Sequence, residues 1–323
     1  MRLGVVVIGR NEGERLRRCI GSIVGTTQSV VYVDSGSTDG SVAMARSMKI
    51  EVVELDMSVP FTAARARNAG YLRLKLLLPE LNCVQFVDGD CELATGWLEK
   101  ATALLDARPD VAMVCGRLRE RHPERSIYNL LCDIEWDISA GESRACGGIA
   151  MARVPPLDAS GGYRADLIAG EEPELCLRLR TQGWVIWRLA DEMALHDAAM
   201  TRFGQWWKRS VRAGYAFAEG AFLHGAGPER HRVRESRSAL LWGIALPATA
   251  VLGLAGWGAW GLLPLAAYPL QIIRLGVNGS RPPRQRYLRA LFIVLGKFPE
   301  AMGNLKFRLH HAAGSGSRLI EYK

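Results

Sequence analysis

Two carboxylates one residue apart, Asp88 and Asp90, follow the apolar run Cys83-Val84-Gln85-Phe86-Val87, with only Gly89 between them. Paired carboxylates on a turn offer hard oxygens to a divalent cation, which usually completes its shell with phosphates and water. Gly89 lets the backbone pass close to whatever is held there. A second acidic pair, Glu171 and Glu172, stands just before Pro173 at the start of a helical pattern, where negative charge meets the positive end of the helix dipole. His196 lies beyond the next apolar stretch, in Ala194-Leu195-His196-Asp197. Each has an ordinary alternative. Asp-Gly-Asp occurs in solvated turns, acids are common in first helical turns, and a lone histidine is more often structural than a ligand.

Carboxylates placed for chemistry need an element to deliver them. The run before Asp88 reads as a buried parallel strand, and in open α/β sheets ligands sit just past the carboxyl ends of such strands. Leu3 to Ile8 reads as another buried strand, Asn11 to Val24 as a helix with Leu16, Ile20 and Ile23 on one face, and Ser29 to Val33 as a second strand, which makes a βαβ opening. The loop Gly9-Arg10-Asn11-Glu12-Gly13 has neither G-x-G-x-x-G nor G-x-x-x-x-G-K-[ST], which speaks against a dinucleotide fold or a P-loop. The second strand ends in Asp34-Ser35-Gly36-Ser37-Thr38-Asp39-Gly40, before a helix expected over Ser41 to Met48. Asp34 there can accept hydrogen bonds from a ribose or base edge, or the segment can simply make a turn and cap that helix. A strand over Ile50 to Leu55 leads to Ala64-Arg65-Ala66-Arg67-Asn68-Ala69-Gly70 and a helix to Leu78. Arg65 and Arg67 can neutralise a diphosphate or be a solvated basic helix start. Further on, a helix is expected over Glu92 to Ala107 and strands over Val111 to Gly116 and Gly183 to Leu189. Arg117 to Asp137 has no assignable role beyond an acceptor-side loop, and Cys146-Gly147-Gly148-Ile149-Ala150 is small enough for a backbone to approach a substrate.

Four features therefore occur in one order: an Arg-Asn-Glu loop, the Asp34 to Gly40 turn, Ala-Arg-Asn68-Ala-Gly70, and Asp88-Gly-Asp90. This order resembles the nucleotide-sugar domain of glycosyltransferase family 2, inverting enzymes of the GT-A fold. The resemblance implies an α/β domain around a central, mostly parallel sheet. It places Arg10, Asn11, Glu12, Asp34 and Asp39 at the nucleoside, Arg67 and Asn68 along the donor, Asp88 and Gly89 at the sugar or ribose, and Gly148 in the glycine segment before the catalytic helix. It makes Asp90 the ligand of Mn2+ or Mg2+, with Asp88 and His196 contributing, and Glu172 the general base, with Glu171 able to take that role. The chain departs from the family twice: Gly9 stands near the usual proline, and Glu172 is one methylene longer than the usual Asp.

The chain has 323 residues with 41 Lys+Arg against 33 Asp+Glu, a formal charge of +8, which favours anionic partners. The arginines thicken in Arg230 to Arg237 and Arg274 to Arg289, on either side of Ala239 to Ile273, which carries no charged side chain. That placement favours a membrane surface and inner-leaflet anionic lipids over nucleic acid. The uncharged segment exceeds the ~20 residues of one span but not two comfortable ones. Its basic flanks keep both ends cytoplasmic, so two tight helices or a re-entrant hairpin are expected, with Trp257 and Trp260 near the turn. A soluble helical hairpin is the alternative, interrupted by Pro247, Pro264 and Pro269. Gln205, Trp206, Trp207, Lys208 and Arg209 suit an interfacial helix on the membrane or acceptor side and faintly resemble the Gln-x-x-Arg-Trp motif of polysaccharide synthases and ceramide glucosyltransferases. Tyr287 to Phe307 reads as one amphipathic helix, followed by a flexible link over Ala312 to Ser317 and a short tail. Seven cysteines without a C-x-x-C read as reduced thiols, and no secretory leader is recognisable.

The expected layout is a GT-A domain over 1–200, interfacial helices over 201–237, a membrane hairpin over 238–277, and an amphipathic helix and tail over 278–323. The expected function is inverting transfer from a nucleotide sugar, a UDP-sugar foremost, to a lipid-linked or glycan acceptor in cell-surface or exopolysaccharide synthesis. The expected location is a bacterial inner membrane, with the catalytic domain cytoplasmic. Sugar transfer to a polyprenyl phosphate, ceramide or other lipid is the alternative within that class, and a nucleotide-sugar-binding scaffold subunit is the alternative outside it.

Overall fold

Nine strands build one sheet in the computed structural model, which describes residues 1–25 and 29–314. They are β1 (Leu3–Gly9), β2 (Ser29–Asp34), β3 (Glu51–Glu54), β4 (Cys83–Asp88), β5 (Cys91–Leu93), β6 (Val111–Glu120), β7 (Gly141–Glu142), β8 (Ala150–Arg153) and β9 (Val185–His196). Their order is β3-β2-β1-β4-β8-β6-β9-β5, with β7 pairing on β9. The sheet is parallel through β3-β2-β1-β4, and mixed beyond it because β8 enters antiparallel between β4 and β6. The helices of this part are α1 (Glu14–Gly21), α2 (Ser41–Ser47), α3 (Ala63–Leu77), α4 (Trp97–Ala107), α5 (Ile127–Trp136), α6 (Val154–Ala159) and α7 (Glu171–Thr181). The α/β expectation stands.

The parallel half is held by burial on both faces. Val5, Val6, Val7, Val31, Val33, Val84, Phe86 and Val87 are all fully buried, and each such side chain stabilises the fold by about 1.5–3 kcal/mol relative to exposure. Helix α3 lies close on this layer because Gly70 has no Cβ: one there would stand 2.4 Å from Val6 Cγ1 and 2.8 Å from Val33 Cγ2. Gln85, polar inside β4, is satisfied on both ends of its amide, accepting from Trp97 Nε1 at 2.9 Å and donating to the Phe86 carbonyl at 2.8 Å.

Several boundaries differ from the sequence expectation. The first helix begins only at Glu14, because Asn11 (φ 56°) and Gly13 (φ 49°) turn the chain through the left-handed region. Glu92 is not helical: Cys91–Leu93 forms a strand on β9, and α4 starts after Gly96. The stretch expected as a loop over 117–137 is mostly ordered, with β6 running on to Glu120 and α5 covering Ile127–Trp136. Helix α7 starts two residues before Pro173, behind Gly170 at φ 80°, since proline fits anywhere in a first turn whose amides have no intrahelical partner.

The chain divides into two compact units, Met1–Thr201 and Arg202–Lys323. The second is helical: α8 (Phe203–His224), α9 (Val233–Leu240), a π-helical turn (Leu241–Ala245), α10 (Leu246–Trp257), a 3-10 segment (Gly258–Ala266), α11 (Ala267–Val277), α12 (Pro283–Leu295) and α13 (Lys297–Ala312). The helical run Val233–Val277 is long and apolar enough to cross a membrane, judged by length and composition only. It is not straight. At Gly258 (φ 57°) the chain reverses, so that Gly253 and Gly261 meet backbone to backbone and Tyr268 Oη donates to the Trp242 carbonyl at 2.5 Å. Trp257 and Trp260 stand exposed at the reversal. The single helix expected over 287–307 is two, broken at Gly296. Of the expected link and tail, everything from Ser315 onward lies outside the described residues.

Candidate active site

The carboxyl ends of β1, β2 and β4 deliver the first loops. Asp34, buried at the end of β2, accepts from Tyr32 Oη at 2.7 Å and from the amides of Gly36 and Ser37 at 2.9 and 2.8 Å. Asn11 ties the β1 loop to the same turn, its amide donating to Ser37 Oγ at 2.9 Å and its Oδ1 accepting from the Thr38 amide at 2.7 Å. Asp39 accepts from the Ser41 amide at 3.1 Å and from Ser41 Oγ at 2.6 Å. Turn-making, one of the two readings open for this segment, is therefore seen directly. Arg10 and Asn11 face solvent, while Glu12 is engaged by Arg15 at 2.8 Å.

Arg67, 2 % exposed on α3, is the hub of the next group. Its Nη1 donates to Glu171 Oε1 at 2.6 Å and its Nη2 to Asp88 Oδ1 at 2.8 Å. Burial alone would lower its pKa, but the two carboxylates outweigh that and hold it above the ordinary arginine value, firmly charged. Gly148 permits the arrangement: a Cβ there would lie 2.8 Å from both Arg67 Nη2 and Asp88 Oδ2. Asn68 pairs like a strand residue with Tyr163, donating to its carbonyl at 2.7 Å and accepting from its amide at 3.0 Å. Tyr163 in turn places its ring 5.5 Å from the Arg67 guanidinium. Arg65, by contrast, is spent on the carbonyls of Asp56, Val59 and Pro60.

Asp90 leaves this group for another. Antiparallel pairing of β5 with β9 sets Cys91 opposite His196, and His196 Nε2 lies 3.4 Å from Asp90 Oδ2. Donor atoms of Asp90, Cys91 and His196 all fall within 4.8 Å of one another. Behind the histidine, Glu120 Oε2 is 3.7 Å from Nδ1, and the Trp136 ring meets the imidazole edge-on at 4.8 Å. Glu120 is fixed by amides of His122 and Ala198 and by the Asn129 side chain. A buried carboxylate beside an imidazole that is itself backed by a second carboxylate is a donor set that fits Mn2+; Mg2+, which favours oxygen ligands, fits it less well. The Cys91 thiol donates to Asp90 Oδ1 at 3.4 Å and is too soft a ligand for either ion. Asp88 is turned to Arg67 and is not among these donors.

Glu172 lies buried in a thiol-lined niche. Its Oε1 accepts from the Cys146 amide at 2.6 Å and from the Cys176 thiol at 2.9 Å, and the donor atoms of Cys146, Glu172 and Cys176 lie within 4.8 Å of one another. Burial pushes the Glu172 pKa up, while the Cys176 thiol and the amides of Cys146 and Gly147 pull it part of the way back. Burial pushes the Cys176 thiol up to about 11, so it remains a protonated donor. The two adjacent acids thus differ: Glu171 neutralises an arginine, and Glu172 is a carboxylate held against its own desolvation.

Sequence reasoning brought Arg67, Asn68, Asp88, Gly148, Glu171, Glu172, Asp90 and His196 to attention, and the first unit gathers them at the carboxyl edge of the sheet. It missed Glu120, Asn129 and the supporting parts of Tyr163, Cys146 and Cys176. Their only signal lies in the strand order, since Glu120 meets His196 through the pairing of β6 with β9 across 76 residues of chain. The residues expected on the membrane or acceptor side belong to the second unit. Gln205 Oε1 accepts from the Arg202 amide at 3.0 Å and so caps α8. Trp206 is buried edge-on against Phe292 at 4.9 Å, not spread on a surface, while Trp207 and Arg209 are partly exposed and Lys208 is exposed.

Residues 4–140 match the family model for glycosyl transferase family 2. Among solved structures, a mannosyltransferase from Pyrobaculum calidifontis, in complex with GDP-Man and Mn2+, is similar over 94 % of this chain and 87 % of its own, with 20 % identity and a TM-score of 0.61. Residues 1–349 of TarS from S. aureus align over 98 % of this chain and 93 % of that one, with 15 % identity and a TM-score of 0.49. At 20 % identity, the first of these shows a shared fold. No curated protein matches the chain in sequence.

Proposed function

We propose that this chain, whose residues 4–140 match the family model for glycosyl transferase family 2, is an inverting, metal-dependent glycosyltransferase. It moves a sugar from a nucleotide donor to a hydroxyl of a lipid-linked or glycan acceptor at the cytoplasmic face of a membrane. The observation that carries the reading is the convergence, at one edge of the sheet, of Asp90 beside His196 and of Arg67 between Asp88 and Glu171, with Glu172 on the same helix as Glu171.

Asp90 and His196 would hold a divalent ion, and such an ion offsets the charge that grows on a departing diphosphate. The chain's own residues supply the rest. Arg67 pairs with Asp88 and orients it, so that the third of that side chain left exposed can accept from donor hydroxyls. Glu172 takes the proton from the acceptor hydroxyl as its oxygen attacks the anomeric carbon from the face opposite the nucleotide. Its raised pKa suits it to take up a proton, whereas Glu171 is engaged in neutralising Arg67. The buried thiols leave Glu172 in a site of low polarity, where proton transfer is not short-circuited by water.

The apolar helical run and the arginines flanking it support a membrane location, with both flanks on one side of the hairpin. UDP-sugars head the donor list from the family resemblance. GDP-sugars join it because the mannosyltransferase of similar fold was solved with GDP-Man and Mn2+.

The test is a thermal-shift panel on the full chain in detergent with UDP-, GDP-, CMP- and dTDP-sugars, with and without Mn2+, repeated on Asp90→Asn. Stabilisation by one nucleotide class, dependent on Mn2+ and lost in the variant, is expected. No response to any donor at millimolar concentration overturns the transferase reading and leaves the scaffold role. Transfer to an acceptor that is already an anion, such as a polyprenyl phosphate, needs no base. Full turnover by Glu172→Ala would therefore select that acceptor class.

A further inference from the structure

The second unit contains a cavity of about 440 Å³, and none of the residues discussed above as catalytic or donor-binding lines it. Its walls come from α8, α9, α13 and the turn between α8 and α9, and they divide by chemistry. One wall is aromatic. His311 stacks on Phe307 with centroids 5.8 Å apart and 13° between planes, and it lies 4.3 Å from the ring of Phe222.

The other wall carries Arg230, Arg237 and Arg308. Arg308 is aimed by a buried polar relay: its Nε donates to Asn304 Oδ1 at 2.8 Å, and the Asn304 amide donates to Ser236 Oγ at 2.7 Å. Among the described residues, no acid pairs with Arg230, Arg237 or Arg308. Three guanidinium groups left without counter-charge around one cavity suit an anion with several oxygens, and arginine forks match phosphate geometry.

The place of the cavity along the chain says where such a phosphate comes from. Arg237 precedes the uncharged segment Ala239 to Ile273 by two residues, or about 3 Å of helix rise. The volume falls within the range of small-molecule pockets, far more than a phosphate alone needs. A free phosphate would use the arginines and leave the aromatic wall bare.

We propose that this cavity binds the phosphate group of an anionic membrane lipid, the phosphate on Arg230, Arg237 and Arg308 and the adjoining apolar part of the lipid against Phe222 and Phe307. The site stands independently of the transferase chemistry, because binding is read directly.

The experiment uses the full-length protein in neutral detergent and a fluorescent short-chain phosphatidic acid as probe, with phosphatidylcholine and inorganic phosphate as competitors. Saturable binding is expected, weakened at least 10-fold in R237Q/R308Q and partly restored in R237K/R308K. Phosphatidylcholine should compete poorly. The control R284Q/R289Q removes the same charge from exposed positions outside the cavity. Equal weakening in that control, or equal competition by phosphatidylcholine, overturns the site. Displacement by inorganic phosphate at the concentration of the lipid overturns the lipid source. Should the double variant lose its melting transition, R230Q, in the turn between α8 and α9, gives the same reading without touching a helix.

Discussion

At the scale of single residues, Arg67 decides the most. Its guanidinium serves two carboxylates from a position 2 % exposed, and removing it leaves both acids facing each other without a cation. Arg67→Gln is expected to destabilise the protein by about 3 kcal/mol, read as a lower midpoint in urea unfolding, and to abolish donor binding; Arg67→Lys should recover little, since an ammonium cannot fork to two partners. Glu172 is the opposite case, a group whose environment disfavours its working form. Its folded pKa is raised, so the stability it contributes is fully present below the unfolded value of 4.5 and is lost as pH rises through the folded value. Glu172→Gln, which mimics the neutral form, should therefore melt above the wild type at pH 7 while losing turnover, with the difference in melting temperature vanishing near pH 4. If the variant melts lower at pH 7, the niche favours the carboxylate and the assignment of base is wrong. The thiol of Cys176 acts on the same titration: its hydrogen bond lowers the Glu172 pKa. Cys176→Ala should accordingly move the acid limb of the kcat/KM profile to higher pH, an effect that a merely structural role for the cysteine would not produce.

At the scale of elements, the site depends on close approach. The loop before β8 passes Arg67 and Asp88 only because residue 148 has no side chain. Gly148→Ala should spread that ion pair and weaken donor binding at least 10-fold while changing stability by about 1 kcal/mol, a contrast read by isothermal titration beside thermal melting. In the second unit, the reversal at Gly258 brings Gly253 and Gly261 into backbone contact, and a Cβ on Gly261 would lie 1.9 Å from the Gly253 carbonyl carbon. Small residues that let helical segments touch are the usual glue of packing in lipid. Gly261→Leu is expected to open the hairpin and lower the melting temperature in detergent, whereas Gly256→Leu, where a Cβ meets nothing within 4 Å, should not. Equal effects at the two positions would mean that the contact contributes nothing.

At the scale of the whole molecule, a sheet unit with paired acids and a helical unit with an apolar run flanked by arginines share one chain of formal charge +8. A protein held on a membrane only by its basic surface is released when salt screens that attraction. One held by a hairpin is not. The membrane-bound fraction is expected to stay bound through a 1 M salt wash and to require detergent, and release by salt alone would reduce the hairpin to a soluble feature. The sequence by itself determined the α/β class, the opening strands and the motif residues on their loops, because a buried parallel strand and a glycine-punctuated turn are local patterns that need no partner to be read. Asp88, Asp90, Glu171, Glu172 and His196 were visible in that way, and so was the uncharged segment with Trp257 and Trp260 in its middle. Only the tertiary structure decided how they group. Asp90 went to His196 and Asp88 to Arg67, although one residue separates them, because β5 pairs with β9 while the last residue of β4 meets Arg67 of α3 and Gly148 in the loop before β8. Glu120 and the thiols around Glu172 were invisible beforehand for the same reason: what makes them matter is a neighbour supplied by a distant strand or loop, and no window of sequence contains both.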